Sequence, residues 1–399
     1  MFEVKKDINP TLSDRLALPL ILADYGIRNS ILRVLENTLF VNKNIFAAQR
    51  ILIFRKGGMG DAVSSLPAIH AIKNCFPNAE IDLLTARRLP TQAGLEEIVE
   101  KGTFSNVYTY TNLFDRDMIS QLCGRKYDLY IELPSNIASF SFELRTLWLV
   151  KRIGIPSGIG WRVSSTKFIA KKQEKLLSFL NDNDRLLKIL KGYGFEVEQG
   201  DYQLPVPEKD AAYVHELLKE HGIIHKERNI AMIPGAGRPQ NKWPLPYFNE
   251  VAKYYQAKGF NIILIGGEEE RKEADKIEGE NVFNFCGKLT ALQSAAMLKN
   301  CCISISNDTG PMHLSYSAGT PVVAIFSARD YAGKWFPPKE GNIVLRNTGV
   351  PCAICFSDTC IDNICMKQIK PEEVIKAVDL TLTLSQREGN NVLRASAKK

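Results

Sequence analysis

The stretch that most constrains the fold lies at residues 303–314, where an apolar run ends in a polar turn and a helix starts. Residues 303–306 alternate isoleucine with serine, which indicates a buried strand. Residues 307–310 read Asn-Asp-Thr-Gly, and Pro311 then opens a helix that we expect to continue to residue 318. Aspartate or threonine before such a proline predicts a helix start in which a side-chain oxygen caps the first amides. The residues that we assign to this turn and its helix are Asp308, Thr309, Gly310 and His313.

A strand that feeds a helix through a glycine turn leaves backbone N–H groups and the positive end of the helix dipole together. Such a place is suited to a phosphate group. The alternative is an ordinary strand-to-helix turn without a ligand. His313 lies four residues after Thr309 on a similar helix face, so it either packs inside the protein or steadies a bound diphosphate.

The rest of the chain predicts two domains of alternating strands and helices. Its 399 residues exceed what one compact core usually holds. Strands that alternate with helices indicate parallel sheets covered on both faces, hence an α/β fold. The prolines near residues 204–208 predict a linker, so we expect Rossmann-like domains at 49–205 and 206–399, facing each other across a ligand-binding cleft. The predicted strands are residues 51–54, 81–84, 107–110, 127–133, 229–233, 261–265, 301–306 and 322–326.

Residues 1–48 stand apart from this pattern. Leucine and isoleucine recur at helical spacing from Leu16 to Leu39, which predicts a helical extension of two amphipathic helices. Such an extension either packs on the body of the protein or on another subunit, or it lies on an anionic membrane surface. No apolar run reaches the roughly 18 residues of a membrane span. Acidic residues near the N-terminus argue against a signal peptide, so we predict a cytoplasmic location.

A glycine-rich turn with one carboxylate follows the first strand. Gly57, Gly58 and Gly60 precede Asp61, which we expect at the N-terminus of a helix. The spacing fits neither a Walker A loop nor the dinucleotide fingerprint. The helix dipole should favour the ionised form of Asp61, which a general base needs. The alternative is a purely structural turn.

A further set of ligand-binding residues is predicted in the second domain. Gly235 and Gly237 follow a strand, and Lys242 comes shortly after them. A lysine and bare backbone amides in this position suit a diphosphate. Glu268 and Glu270 follow the next strand, where they either accept ribose hydroxyls or simply complement the dipole of a helix.

Together these motifs resemble glycosyltransferase family 9, the ADP-heptose:lipopolysaccharide heptosyltransferases and their relatives. The similarity covers about residues 50–380, and its most specific part is residues 307–313. The extension before residue 50 is longer than in common members of the family. The motifs that carry the resemblance are Gly57-Gly-Met-Gly-Asp61, Leu66-Pro-Ala68, Pro234-Gly-Ala-Gly237, Lys242-Trp-Pro244, Gly266-Gly267 with the acids after it, and Asn307-Asp-Thr-Gly-Pro-Met-His313.

The resemblance implies a GT-B fold and an inverting, metal-independent transfer. It implies a heptose or related sugar as the group moved, from ADP-heptose to a lipopolysaccharide core or related glycan. Asp61 matches the base that deprotonates the acceptor hydroxyl, Lys242 matches the lysine on the donor diphosphate, and Glu270 matches the ribose-side acid. We expect the acceptor near Arg55, Lys56, Gly58 and Gly60, and the donor near Gly237, Asp308, Thr309, Gly310 and His313. The cations Arg55, Lys56 and Arg87 or Arg88 either hold acceptor phosphates or are solvated surface charges.

Four cysteines are spaced Cys-x2-Cys-x4-Cys-x4-Cys within residues 352–365. Thiolates at this spacing can make a tetrahedral site, so a structural zinc or iron is one interpretation. The other is a surface loop of reduced cysteines, since no secretion signal is predicted. The predicted ligands are Cys352, Cys355, Cys360 and Cys365, and we expect no cofactor to be required for catalysis.

The charge limits the class of partner. The chain holds 51 Lys and Arg against 44 Asp and Glu, a net charge of +7. This suits a sugar nucleotide, a phosphorylated glycolipid or peripheral contact with the inner membrane. No basic block is interleaved with aromatics, so we predict no nucleic-acid partner. The functions left open beside heptose transfer are transfer from another donor or to a protein, epimerisation or hydrolysis of a sugar nucleotide, and a non-catalytic scaffold in envelope assembly.

Overall fold

The computed structural model describes residues 2–4, 12–41, 44–86, 93–136, 138–163, 177–197, 202–357 and 359–396. Arg87 and Arg88 lie outside the described residues. By its contacts the chain divides into two compact units. Unit 1 is Met1–Tyr202 with Ala332–Lys334, and unit 2 is Gln203–Tyr331 with Trp335–Lys399.

Unit 1 is built on a five-stranded parallel sheet. The strands of the unit are β1 (Phe2–Val4), β2 (Arg50–Phe54), β3 (Glu80–Ala86), β4 (Asn106–Tyr110), β5 (Leu129–Glu132), β6 (Ser157–Ile159) and β7 (Leu177–Phe179). The sheet has the order β4-β3-β2-β5-β6, and β1 pairs separately with β7 in antiparallel register. The side chains of residues 51–54 are all at most 1% exposed, because helices cover both faces of the central strand β2.

The helices of unit 1 lie before, between and after these strands. They are α1 (Leu12–Leu39), α2 (Met59–Cys75), α3 (Leu95–Ile98), α4 (Arg116–Arg125), α5 (Phe140–Ile153) and α6 (Asp182–Lys191). The turn between β2 and α2 places Asp61 at the carboxyl edge of the sheet.

The N-terminal extension forms one helix, so the prediction of two helices is wrong. Pro19 lies inside α1 without ending it. A proline there removes one main-chain hydrogen bond, but packing of the later turns on unit 1 holds the helix in place. Leu32 is fully buried, and Glu36 accepts a hydrogen bond of 2.6 Å from the Tyr193 hydroxyl.

Unit 2 repeats the same plan with a six-stranded parallel sheet. Its strands are β8 (Asn229–Ile233), β9 (Asn261–Leu264), β10 (Val282–Asn284), β11 (Ile303–Asn307), β12 (Val322–Phe326) and β13 (Ile343–Arg346), in the order β10-β9-β8-β11-β12-β13. Its helices are α7 (Glu208–Glu220), α8 (Leu245–Ala257), α9 (Arg271–Ala274), α10 (Ala291–Lys299), α11 (Gly310–Ser317), α12 (Ile364–Lys367) and α13 (Pro371–Ser396). Two parallel sheets with helices confirm the prediction of an α/β fold.

The core of unit 2 forms between its sheet and the helices α8 and α13. Ile230, Ile305 and Val323 from three neighbouring strands are fully buried there against Phe248 and Val378. The apolar strand residues that the sequence shows as short runs therefore build the core, and the polar residues after each strand fall at the carboxyl edge of the sheet. Within the described residues, no helix is long and apolar enough to cross a membrane.

Candidate functional site

The turn between β2 and α2 holds the Asp61 carboxylate close to the backbone. Gly58 N–H donates to Asp61 Oδ2 at 3.2 Å, and Gly60 lies in the first turn of the helix. Gly57 has φ +139°, and a Cβ added there would lie 2.2 Å from the Cβ of Asp61. Only glycine fits this position, since it accepts both the backbone conformation and the close approach. The glycine motif is therefore needed to seat the carboxylate.

Arg55 supports this turn from inside unit 1. Its side chain is only 1% exposed. Nη2 donates to the main-chain oxygen of Asp61 at 2.9 Å and to Asp182 Oδ2 at 2.6 Å, while Nη1 donates to the Pro134 carbonyl at 3.0 Å. A guanidinium enclosed in this way offers no surface to a phosphate. The prediction that Arg55 binds the acceptor is therefore replaced by a supporting role beneath Asp61.

The pKa of Asp61 is raised to about 6. Burial is the largest cause, Arg55 opposes it, and the negative charge of Asp182 adds to it. The sequence does not show this burial, which makes Asp61 a stronger base than an ordinary aspartate. The Asp61 side chain nevertheless remains 23% exposed. At pH 7 most molecules carry the ionised form, at a basicity suited to neutral pH.

Lys56 lies between an aromatic ring and acidic groups. Its ammonium is 3.4 Å from the centroid of the Phe142 ring on α5. Burial lowers the pKa of Lys56, whereas the charges of Glu132, Glu143 and Asp61 raise it. The lysine is partly buried, and it places a cation near the Asp61 carboxylate.

In unit 2, the side chain of Asn307 ties together three loops at the end of β11. It is fully buried. Its Oδ1 accepts a hydrogen bond from the Trp243 N–H at 3.0 Å, and its Nδ2 donates to the Pro234 carbonyl at 2.7 Å. One amide therefore fixes the glycine loop after β8 and the loop that carries Lys242 against the turn before α11.

Asp308 follows directly and lies among charged groups of the same unit. Asn241 Nδ2 donates to Asp308 Oδ2 at 3.0 Å. The pKa of Asp308 is raised to about 7, first by burial and then by the charge of Asp330, while Arg238 and Arg329 lower it. The carboxyl group therefore gains or loses its charge near neutral pH.

The turn into α11 differs from the predicted cap. Thr309 occupies the N-cap position with an extended backbone, at φ −155° and ψ 167°, but its side chain makes no capping hydrogen bond. Gly310 and Pro311 form the first turn of the helix. The prediction of a side-chain cap at Thr309 is therefore wrong. The main-chain oxygen of Thr309 instead accepts a hydrogen bond from the Met312 N–H at 3.1 Å, within the first turn of the helix.

Lys242 reaches a carboxylate of the same unit. The Lys242 Nζ lies 2.5 Å from Oε2 of Glu273, a residue of helix α9. The Lys242 side chain is 31% exposed. The loop is held from beneath, because Asn363 Nδ2 donates to the Lys242 carbonyl at 3.0 Å. The Lys242 side chain is therefore partly exposed, and its ammonium is paired with one carboxylate.

Glu270 packs over the glycine loop after β8. Its Oε2 accepts a hydrogen bond of 2.5 Å from the Gly267 N–H. A Cβ added to Gly235 would lie 2.5 Å from the Glu270 carboxyl carbon, so this glycine leaves room for the carboxylate. A Cβ at Gly237 would meet nothing within 4 Å among the described residues. The structure therefore places Glu270 and the glycine loop side by side at the edge of the sheet.

His313 is directed into the interior of unit 2. It is 3% exposed, and its Nδ1 lies 3.0 Å from the Tyr316 hydroxyl. The Trp335 ring meets it edge to face at 6.1 Å. The ring is therefore packed inside the unit, and a role in steadying a bound diphosphate stays a prediction.

The same residues can be compared with known proteins. The family model of glycosyltransferase family 9 (heptosyltransferase) matches residues 116–365, which is more than half of the chain. The chain belongs to glycosyltransferase family 9. It is an enzyme of the glycosyltransferase class with the GT-B fold of that family.

Similar proteins and solved structures support the same family. This family 9 glycosyltransferase is 24% identical over 340 residues to lipooligosaccharide heptosyltransferase 2 of Campylobacter jejuni, covering 82% of this chain and 98% of that protein. It resembles the glycosyltransferase family 9 structure from Veillonella parvula with a TM-score of 0.65 at 20% identity, covering 84% of this chain and 97% of that one. It also resembles the ADP-heptose lipopolysaccharide heptosyltransferase II of E. coli with a TM-score of 0.60 at 18% identity, covering 84% and 99% of the two chains.

The cysteine loop of this family 9 glycosyltransferase does not form a metal site in the described part of the chain. Cys352 and Cys360 are exposed, Cys355 is partly exposed and Cys365 is buried. No group of three or more His, Cys, Asp or Glu among the described residues is arranged to hold a metal ion. Two of the thiol sulfurs accept backbone hydrogen bonds, Cys355 from the Ser357 N–H at 3.5 Å and Cys360 from the Asn363 N–H at 3.3 Å. The described residues of the structure therefore do not assemble the metal ligand set predicted from the cysteine spacing.

Sequence reasoning missed the residues that hold the site together. Asp182 and Arg185 support Arg55, although they lie more than 120 positions further along the chain. Glu273 contacts Lys242 from a helix that carries no motif. Asn307 could have been found, because it lies in the most specific motif immediately before Asp308. The other three have no local signal, since only the packing of the sheets and helices brings them to the site.

Proposed function

We propose that this enzyme transfers heptose, or a related sugar, from ADP-heptose to a lipopolysaccharide core or related glycan, with inversion and without a metal. The observation that carries the proposal is the Asp61 carboxylate, held at a helix start with a pKa near 6. The names of the relatives support the donor and the acceptor class: one is a lipooligosaccharide heptosyltransferase and another is an ADP-heptose lipopolysaccharide heptosyltransferase.

Unit 1 supplies the base in this proposal. The acceptor hydroxyl lies against Asp61, which takes its proton as the oxygen attacks the anomeric carbon of the donor. The bond from that carbon to the diphosphate breaks at the same time, ADP leaves with the electron pair, and attack from the opposite face inverts the configuration. A carboxylate of pKa about 6 accepts the proton at neutral pH and releases it afterwards.

Unit 2 binds the donor. The positive end of α11, at Thr309 and Gly310, and the Lys242 ammonium stabilise the negative charge that grows on the leaving diphosphate. Glu270, next to the glycine loop, accepts hydrogen bonds from the ribose hydroxyls. The N-terminus of α11 and the Lys242 ammonium together supply positive charge next to the phosphates. We therefore propose that no metal ion is needed in this step.

Binding and transfer test the proposal separately. Calorimetric titration of ADP, UDP, GDP and CMP should show preference for ADP, weakened at least about tenfold in Lys242→Ala, since a charged hydrogen bond contributes about 1.5–3 kcal/mol. Preference for another nucleotide would overturn the donor but keep the transferase class.

Heptose transfer to a truncated lipopolysaccharide core should fall by about 10²–10⁴-fold in Asp61→Asn, with ADP affinity retained. Wild-type activity in Asp61→Asn would remove Asp61 as the base.

The exposed side of α1 bears on the acceptor. Leu16, Leu20 and Ile27 are 68%, 67% and 60% exposed, at a spacing that puts them on one face of the helix. We propose that this face lies on the inner membrane, where a lipid-linked acceptor would be found. Sedimentation with phosphatidylglycerol vesicles should bring down the wild-type protein and not Leu20→Ser/Ile27→Ser. Equal sedimentation of both proteins would contradict the contact.

A further inference from the structure

Asp182, the first residue of α6, sits at the centre of a buried ionic cluster beneath Asp61. Its side chain is fully buried. Oδ2 accepts from Arg55 Nη2 at 2.6 Å, and Oδ1 accepts from Arg185 Nε at 3.0 Å and Nη2 at 2.6 Å. One carboxylate is therefore shared by two guanidinium groups, and Asp61 is the next carboxylate within reach of Arg55.

The hydrogens of Arg55 Nη2 are already assigned. This nitrogen carries two hydrogens. One points to Asp182 Oδ2, and the other to the main-chain oxygen of Asp61 at 2.9 Å. The Asp61 carboxylate itself lies 3.6 Å from the same nitrogen, an ion-pair distance that is too long for a good hydrogen bond. Asp182 thus accepts a hydrogen bond that Arg55 Nη2 could otherwise donate to Asp61 Oδ1.

We propose that Asp182 is a positioning residue for Asp61, because it holds the Arg55 guanidinium on itself and on the Asp61 main chain rather than on the Asp61 carboxylate. The value of this to the enzyme rests on the proposed role of Asp61 as the base. A carboxylate directly paired with arginine would be a weak base. Asp182 keeps the arginine as a brace for the turn while leaving the carboxylate basic.

The charges around Asp61 agree with this arrangement. The cations that face it are Arg55, Arg185 and Lys56, and the anion is Asp182. Arg55 and Arg185 lower the pKa of Asp61, whereas burial and Asp182 raise it. Removal of Asp182 therefore acts twice in the same direction, since it deletes a negative charge and releases Arg55 toward the carboxylate.

Nuclear magnetic resonance of protein labelled with ¹³Cγ-aspartate tests the proposal without any substrate. The Asp61 signal is assigned by its loss in Asp61→Asn. In Asp182→Asn we expect the pKa of Asp61 to fall by about one to two units, the size expected when an opposite charge comes into direct contact. An unchanged or raised pKa in a folded Asp182→Asn protein would overturn the proposal.

A matched control is Asp82→Asn. Asp82 is also fully buried and bonded to an arginine, with Arg125 Nε at 3.1 Å and the Tyr127 hydroxyl at 2.7 Å, but its charge is not among those that shift Asp61. We expect Asp82→Asn to lose stability and to leave the pKa of Asp61 within about 0.3 units of wild type, far below the direct-contact shift. An equal fall in both variants would mean that general loosening of unit 1, not Asp182, sets the pKa.

Arg55→Met decides the case if Asp182→Asn does not fold. It removes the guanidinium and leaves Asp182 paired with Arg185. We expect the pKa of Asp61 to rise by about one unit, opposite in sign to Asp182→Asn, and no change would refute the coupling. In the transfer assay, the acidic limb of the kcat/KM profile should move with these pKa values. If the pKa values shift while Asp61→Asn keeps full activity, the coupling stands and the proposed function fails.

Discussion

Replacement of Asn307 by alanine tests whether the end of β11 organises the donor half of the enzyme. The Asn307 amide is fully buried and makes hydrogen bonds of 3.0 Å and 2.7 Å to the Trp243 N–H and the Pro234 carbonyl. Alanine removes both bonds and leaves one buried donor and one buried acceptor without these partners. Two net hydrogen bonds at about 1 kcal/mol each and the desolvation of the groups left behind predict a loss of about 2–4 kcal/mol in the free energy of unfolding of unit 2.

The variant should also bind ADP more weakly, because the amide fixes the loop that carries Lys242. A matched control is Asn229→Ala at the opposite, amino end of the strands. Asn229 is 1% exposed, donates to the Asn300 carbonyl at 2.9 Å and accepts from the Asn261 side chain at 2.9 Å. We expect both variants to lose similar stability in urea unfolding, and only Asn307→Ala to lose about fivefold or more in ADP affinity, equivalent to about 1 kcal/mol.

Calorimetric titration of ADP at a temperature where both variants are folded gives the deciding comparison. Equal ADP affinity of Asn307→Ala and wild type would refute the reasoning that this amide positions the donor loop. Equal weakening by both variants would show that affinity follows the stability of unit 2 as a whole.

Three further predictions concern the Asp61 turn of unit 1 and the loops of unit 2. Gly57→Ala should abolish transfer, since its Cβ would lie 2.2 Å from that of Asp61, whereas Gly58→Ala, whose Cβ meets nothing within 4 Å among the described residues, should keep most activity in the same assay. Glu273→Gln should strengthen ADP binding by up to about fivefold in calorimetry, because it removes the partly exposed acid that would compete with ADP for Lys242, the proposed donor lysine. Weaker binding would contradict this competition. Folding raises the pKa of Asp308 from its ordinary value of 3.8 to about 7. Between these pH values the folded state binds more protons than the unfolded state, so the contribution of Asp308 to the free energy of unfolding falls as pH rises through that window. Asp308→Asn should therefore gain stability relative to wild type from pH 4 to pH 7 and keep a constant difference above it, as urea unfolding at several pH values would show.

Motif chemistry predicted which residues to examine and where in the chain they lie. The glycine turn before Asp61 and the Asn-Asp-Thr-Gly turn before α11 are local arrangements, in which the backbone conformation of a few residues brings the chemistry together. The strand periodicity predicted parallel sheets, because strands buried on both faces read as short apolar runs. These signals are local in sequence and so were readable from it.

What the surroundings do to each group was not readable. The sequence suggested an ionised Asp61 favoured by the helix dipole, an acceptor-binding Arg55 and, as one of two interpretations, a metal-binding cysteine loop. The structure buries Asp61 enough to raise its pKa, encloses Arg55 against Asp182, and arranges no three of the described cysteines to hold a metal ion. Desolvation and charge pairing depend on the groups that enclose a residue from every side.

The sequence by itself predicted the family, the α/β plan and the positions of the proposed base and of the proposed donor turn, since each rests on a short run of residues with its own backbone preferences. The tertiary structure alone decided which side chains are enclosed and what charges they meet. Asp182 reaches Arg55 across 127 positions, and Glu273 reaches Lys242 across 31. Such contacts follow from how strands and helices pack, and no spacing along the chain encodes them.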